Sequence, residues 1–236
     1  MDLGGHVVAI GPDILHIKTG DRVIGRMNPL NSAGSLSEYV VAAYDDIAVL
    51  PETVPLDQAG VAATAALTAY QSIVPFVKKA DKVFINGGSS GTVTAALCGK
   101  GKVFTLAVDN VGNSPANLFP SAKNFLLSEG KFKFVGGAFS FAVVKNILPS
   151  ILLPSLLDGS NHKFEVFATK NSHEDMAQIS TWMGGGKLKT VIDSTFAFED
   201  VLKANQKLKQ GSTRGKILVR VREGKRVIET LRDELN

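Results

Sequence analysis

The hydrophobic and polar positions fall into stretches of different period. Over residues 5–50 the apolar residues come in short runs cut by turn signals. Val7, Val8 and Ile10 predict a strand ending at Gly11-Pro12-Asp13, and Gly20-Asp21 predicts a turn into a strand at Arg22-Val23-Ile24-Gly25. Asn31 to Gly34 reads as a loop, and the alternation of Leu36-Ser37-Glu38-Tyr39-Val40 predicts a half-buried strand. The character changes at Pro51. Leu56-Asp57-Gln58-Ala59 opens a helical stretch, and residues 60–74, small and apolar on most sides, predict a buried helix.

From Asp81 onward strands alternate with helices. Apolar runs predict strands at 82–85, 103–108, 132–135 and 164–168, the first running into Gly87-Gly88-Ser89-Ser90-Gly91. Residues 175–183 predict a helix stopped by three glycines, 187–196 a strand, and 198–209 an amphipathic helix with Val201, Leu202, Asn205 and Leu208 near helical spacing and Gly211 closing it. Ile217-Leu218-Val219 is the last strand. No repeat is visible. The pattern is α/β, with β-rich ends around a central α/β core.

Composition narrows the function classes. The 236 residues are 44% hydrophobic and 20% charged, so a core forms and whole-chain disorder is excluded. A net charge of +4 is too weak to argue for nucleic acid, and the basic run over 203–226 reads as a solvated helix and strand end. Cys98 stands alone, which excludes an internal disulfide and a multi-cysteine zinc site and favours a reducing compartment. No metal site is expected. The opening MDLGGHVVAIG is neither a signal peptide nor an Arg-rich transit peptide, so the expected location is the cytoplasm. The most apolar stretch, 139–157, is interrupted by Lys145, Asn146, Pro149 and Pro154. It reads as a buried or dimer-facing helix rather than a membrane span.

The sharpest motif is the strand followed by Gly87-Gly88-Ser89-Ser90-Gly91. In a dinucleotide site such glycines let the backbone approach a pyrophosphate at a helix N-terminus. In a hydrolase, Gly-x-Ser-x-Gly exposes a nucleophile, here Ser89, and needs an acid and a histidine downstream, for which Asp109, Asp158, His162 and His173 are available. A plain strand-to-loop turn is the third reading.

Several segments in order resemble the medium-chain dehydrogenase/reductase superfamily, in its zinc-independent quinone-oxidoreductase branch. They are Gly20-Asp21-Arg22-Val23, residues 34–40, Ala66-Leu67-Thr68-Ala69-Tyr70-Gln71, residues 83–91, Val108-Asp109-Asn110-Val111-Gly112, Phe134-Val135-Gly136-Gly137, Gly186-Lys187-Leu188-Lys189 and residues 211–216. The resemblance implies a GroES-like β module (residues 1–54 and 187–236) on a Rossmann-type cofactor domain (55–186). It implies NADPH as hydride donor and a quinone, enone or enoyl thioester as acceptor. It puts Gly87, Gly88, Ser89, Ser90 and Gly91 at the pyrophosphate and Asn110 and Gly112 near the nicotinamide ribose. Gly137 and Phe139 then border the nicotinamide, and Ser212, Thr213 and Arg214 close over the cofactor. It also implies a homodimer through the edge strand from Phe164 to Ala168. It names no catalytic proton donor.

The chain departs from that pattern twice. The β module begins half built, which predicts exposed edges and apolar surface. Only residues 92–102 separate Gly91 from the next strand, where the family places two further strands. Either 92–96 is itself a strand, leaving Lys100 or Lys102 to read a 2′-phosphate, or 90–98 is a short crossover helix. A parallel neighbour needs a crossover of about a dozen residues, which favours the helix. The sheet order 3-2-1-4-5-6 then shortens to 1-4-5-6. The expectation is a weakened cofactor site, and the alternative is a non-catalytic or splice-shortened binding protein.

Overall fold

The computed structural model describes residues 1–29, 34–87, 102–112, 118–135 and 162–221. They group into two units: Met1–Leu67 with the described residues from Lys170 on, and the described residues between Thr68 and Thr169.

In the first unit, β1 (Asp2–His6), β2 (Arg22–Arg26) and β3 (Ile47–Val49) form an antiparallel sheet in that order. The predicted second strand is in place, but the first lies earlier than Val7 to Ile10. The register runs from Asp2 opposite Arg26 to His6 opposite Arg22, and the Gly20-Asp21 turn ends the pairing at Val7. Two glycines on this sheet allow close approach. A Cβ on Gly4 would lie 2.8 Å from the Leu56 carbonyl oxygen of α1 (Leu56–Ala59), and one on Gly25 would lie 2.7 Å from the Ile47 side chain. The strand expected at Leu36 to Val40 does not form. Those residues are largely exposed and irregular, because alternation makes a strand only where another edge supplies hydrogen bonds. Tyr39 is 53% exposed and Val41 95%.

Helix α2 (Ala63–Ile73) follows, and later in the chain come α3 (His173–Gly184), β8 (Ile192–Ala197), α4 (Val201–Lys209) and β9 (Lys216–Arg220). The Ser172 hydroxyl caps α3 by accepting from the Asp175 N–H. The α3 side chain of Ser180 donates to the Val49 carbonyl at 2.6 Å, and His173 stacks on Tyr44 at 4.0 Å. Strand β8 pairs in parallel with β9. It is shorter than the strand predicted over 187–196. Residues 187 and 188 instead donate back to the Trp182 carbonyl, winding the chain off the end of α3. On α4 the buried position is Ala204, while Leu202 and Leu208 are 73% and 60% exposed. Gly211 follows the helix with φ +68°, the left-handed turn predicted there.

The second unit is a four-stranded parallel sheet in the order β4 (Val83–Asn86), β5 (Phe104–Asp109), β6 (Leu126–Phe134), β7 (Lys163–Val166). The first and second predicted strands are direct neighbours, as the shortened order requires. Cross-strand register places Phe84, Ala107, Phe132 and Phe164 in one row on one face. Ala107 leaves room between the rings. Phe104, Phe119 and Phe125 pack around them, with Phe119 4.7 Å from Phe164 and 5.1 Å from Phe132 between centroids. β6 begins six residues before the predicted start, because Leu126 pairs with Phe104 across an irregularity in the register.

The opposite face carries Ile85, Val108, Lys133 and Glu165 in one row. Lys133 is fully buried. Its ammonium lies 3.0 Å from the centre of the Phe76 ring and 3.8 Å from the Glu165 carboxylate, with no hydrogen-bond partner. Burial, the largest influence, pushes its pKa below the ordinary lysine value of 10.5 despite the attraction of Glu165. A buried ammonium held this way costs stability, so Lys133→Met is expected to stabilise the protein by about 1–2 kcal/mol in urea unfolding. The folded state releases the proton at lower pH than the unfolded state. Wild-type stability therefore rises with pH between the folded pKa and 10.5, and the variant's advantage shrinks over that window.

Candidate functional site

In a parallel α/β sheet ligands bind beyond the carboxyl ends of the strands. In the second unit those ends carry Asn86 and Gly87 after β4, Asp109 to Gly112 after β5, and Val135 after β6. Asp109 organises them. Its side chain is 1% exposed, and Oδ1 accepts from Asn86 Nδ2 at 2.8 Å, the Val111 N–H at 3.1 Å and the Gly112 N–H at 3.2 Å. The Asn110 N–H donates to the Asn86 carbonyl at 3.0 Å, and the Val135 N–H donates to the Asp109 carbonyl at 2.8 Å. One carboxylate thus ties the end of β4 to the turn after β5, and the backbone carries the tie on to β6.

Both glycines at this edge sit in the left-handed region, Gly87 at φ +85° and Gly112 at φ +84°. A Cβ on Gly87 would lie 2.3 Å from Val111 Cγ2, so the turn after β4 also needs glycine because Val111 packs on it. The structure brings the expected residues Gly87, Asn110 and Gly112 together. Gly88, Ser89, Ser90, Gly91, Lys100, Gly137 and Phe139 lie outside the described residues. So do the 90–98 crossover, Asp158, the 139–157 stretch, most of the loop at 31–34 and the tail beyond 221. Lys102, the alternative 2′-phosphate reader, is exposed just before β5, at the opposite end of the sheet from the Asp109 turn. It acts there on His162, which precedes β7. Burial and then the Lys102 charge lower the pKa of that histidine.

Ser212, Thr213 and Arg214 form the turn before β9 in the first unit. Asp193 fixes that turn. Its carboxylate accepts from the Arg214 N–H at 3.0 Å and pairs with Lys207 at 2.6 Å. The Lys207 ammonium, and after it the Arg214 N–H, hold the Asp193 carboxyl below its usual range. The tie therefore persists above that range and is released only as pH falls through the lowered value. In the basic stretch, Lys203 pairs with Asp200 and Arg220 with Asp57, so these charges are compensated locally. The same unit holds a cavity of about 670 Å³ bordered by β1, the 35–42 segment and the end of β9.

The sequence profile of a family described as zinc-binding dehydrogenase matches residues 79–219. The chain belongs to that family, within the medium-chain dehydrogenase/reductase superfamily. It is therefore of the nicotinamide-dependent oxidoreductase class. Among its relatives is the trans-enoyl reductase pgmF of Aspergillus terreus, 29% identical and covering 94% of this chain and 77% of that protein. Another is the mitochondrial NAD(P)H oxidoreductase RTN4IP1 of Danio rerio, 24% identical and covering 94% and 71%. Among solved structures, the quinone oxidoreductase from Coxiella burnetii shares the fold with a TM-score of 0.75, at 21% identity and covering 94% and 78%. The pgmF alignment runs over 274 positions, against about 222 residues of this chain, so about fifty positions of the relative face gaps here.

The dehydrogenase profile carries zinc in its description. Among the described residues no group of three His, Cys, Asp or Glu could hold a metal. No described helix is long and apolar enough to cross a membrane. The hydrolase reading finds no support, since the relatives are oxidoreductases. Asp109, one of the two acids open to it, accepts through Oδ1 from Asn86 and two backbone N–H groups, and Asp158 lies outside the described residues. Sequence reasoning missed Asn86 and Val111; the Asp-Asn-x-Gly run itself was the available signal for a side-chain-stabilised turn.

Asp109→Ala removes a buried acceptor from three donors and is expected to cost about 3 kcal/mol in urea unfolding. Gly87→Ala combines positive φ with the Val111 clash and is expected to cost about 2 kcal/mol or more.

Proposed function

We propose that this chain reduces the electron-poor carbon of a quinone, enone or enoyl thioester, with NADPH as donor, and that it holds the cofactor weakly. The observation that carries the reading is the Asp109 tie, which keeps two positive-φ glycines and their loops together at the carboxyl ends of adjacent parallel strands. The names of the relatives, an enoyl reductase and an NAD(P)H oxidoreductase, support the substrate class.

When bound, the reduced nicotinamide supplies the hydride. The chain's part is to orient it. Asn110, half buried, and Gly112 would border the nicotinamide ribose, with Gly87 at the pyrophosphate side. The acceptor takes hydride at its electron-poor carbon, and the enolate so formed takes a proton from water, which ends on the α carbon of an enone or enoyl thioester and on oxygen in a hydroquinone. The weak hold is inferred from the sheet order, in which the described strands show no reversal at β4 to supply a second wall to the crevice.

Fluorescence titration with NADPH is expected to give a dissociation constant of about 100 µM or weaker, with slow turnover of a quinone or enoyl thioester. Micromolar affinity would refute the weakened site, and binding without any reduction would favour a non-catalytic remnant. We also propose a homodimer through β7, one of the two outer strands of the described sheet, in a cytoplasmic protein. Sedimentation at high micromolar concentration is expected to show the dimer, and a monomer there would contradict it.

A further inference from the structure

Seventeen residues lie between Asn86, where β4 ends, and Phe104, where β5 begins. The two strands are parallel and hydrogen-bonded to each other, from Val83 opposite Leu106 to Asn86 opposite Asp109. Those seventeen residues must return the chain from one end of the sheet to the other. A parallel crossover takes about a dozen residues, and a whole βαβ unit about thirty. Seventeen is near the length of one crossover and well short of a whole unit.

This has a consequence for what the crevice can grip. A doubly-wound sheet consists of two halves, each binding one mononucleotide, with the strand order reversing between them. Here the described strands run β4-β5-β6-β7 without reversal. Strands β5, β6 and β7 make one complete half. Of the other half only β4 is present, as the outermost described strand. The acid that reads an adenosine ribose sits about 20 residues past the glycine turn in that half. Asp109 has that spacing from Gly87, yet it is buried and committed to Asn86, Val111 and Gly112. It braces the crevice from within the turn.

Building on the reductase reading above, we infer that the crevice recognises only the nicotinamide mononucleotide half of its donor and leaves the adenosine end in solvent. NADPH, NADH and reduced nicotinamide mononucleotide are then equivalent ligands, and the 2′-phosphate contributes nothing.

Calorimetric titration of the full chain with each of the three, and with adenosine 2′,5′-bisphosphate, tests this at moderate salt. The expected result is three dissociation constants within about threefold of one another and no binding of the bisphosphate. A preference of about tenfold or more for NADPH over the mononucleotide, or saturable binding of the bisphosphate, would overturn the inference while leaving the reductase reading intact. Binding by none of the three nicotinamide nucleotides would overturn both.

Discussion

The parallel pairing of β4 with β5 is the constraint from which the second unit follows. Four cross-strand pairs set the register, and that register decides which side chains share a face. It lines Phe84 up with Ala107, and through β6 and β7 with Phe132 and Phe164, so an aromatic row spans the sheet on one side. On the other side the same register puts Lys133 beside Ile85 and Val108, where an apolar residue would fit better. Phe76 and Phe167 cover it, and the ring face of Phe76 offsets part of the cost of desolvating the ammonium.

The pairing also brings Asn86 opposite Asp109, and here packing turns into a functional arrangement. A carboxylate excluded from water needs donors, and it finds them in one side-chain amide and two backbone N–H groups of its own turn. The donors bend the chain into the conformation that Gly112 permits and set Val111 against Gly87. In a full doubly-wound sheet such an edge would face a second half. Among the described strands β4 is the outermost on that side.

Much of this was legible in the residues. The apolar runs at 82–85 and 103–108 lie within one residue of β4 and β5, because buried parallel strands read as continuous apolar segments. The shortened strand order followed from counting residues between them. Leu36 to Val40 misled because alternation records a preference for a sheet face and says nothing of whether a partner edge exists. Lys133 was hidden for a related reason: Lys-Phe-Lys-Phe looks like a strand with one wet face, and the rings that dry it come from distant parts of the chain. The brace at Asp109 was foreshadowed by a turn-forming sequence, but its span to Asn86 depends on register, which no local pattern states. Likewise Arg26, Asn171 and Asp46 form one buried hydrogen-bonded group from segments as far as 145 residues apart.

The most direct test of the central claim is to follow backbone amide resonances of the labelled chain during titration with reduced nicotinamide mononucleotide. The account predicts saturable shifts at Gly87, Asn110, Val111 and Gly112, where β4 and β5 end. Saturable shifts confined to other parts of the chain, or none at those four amides, would contradict it.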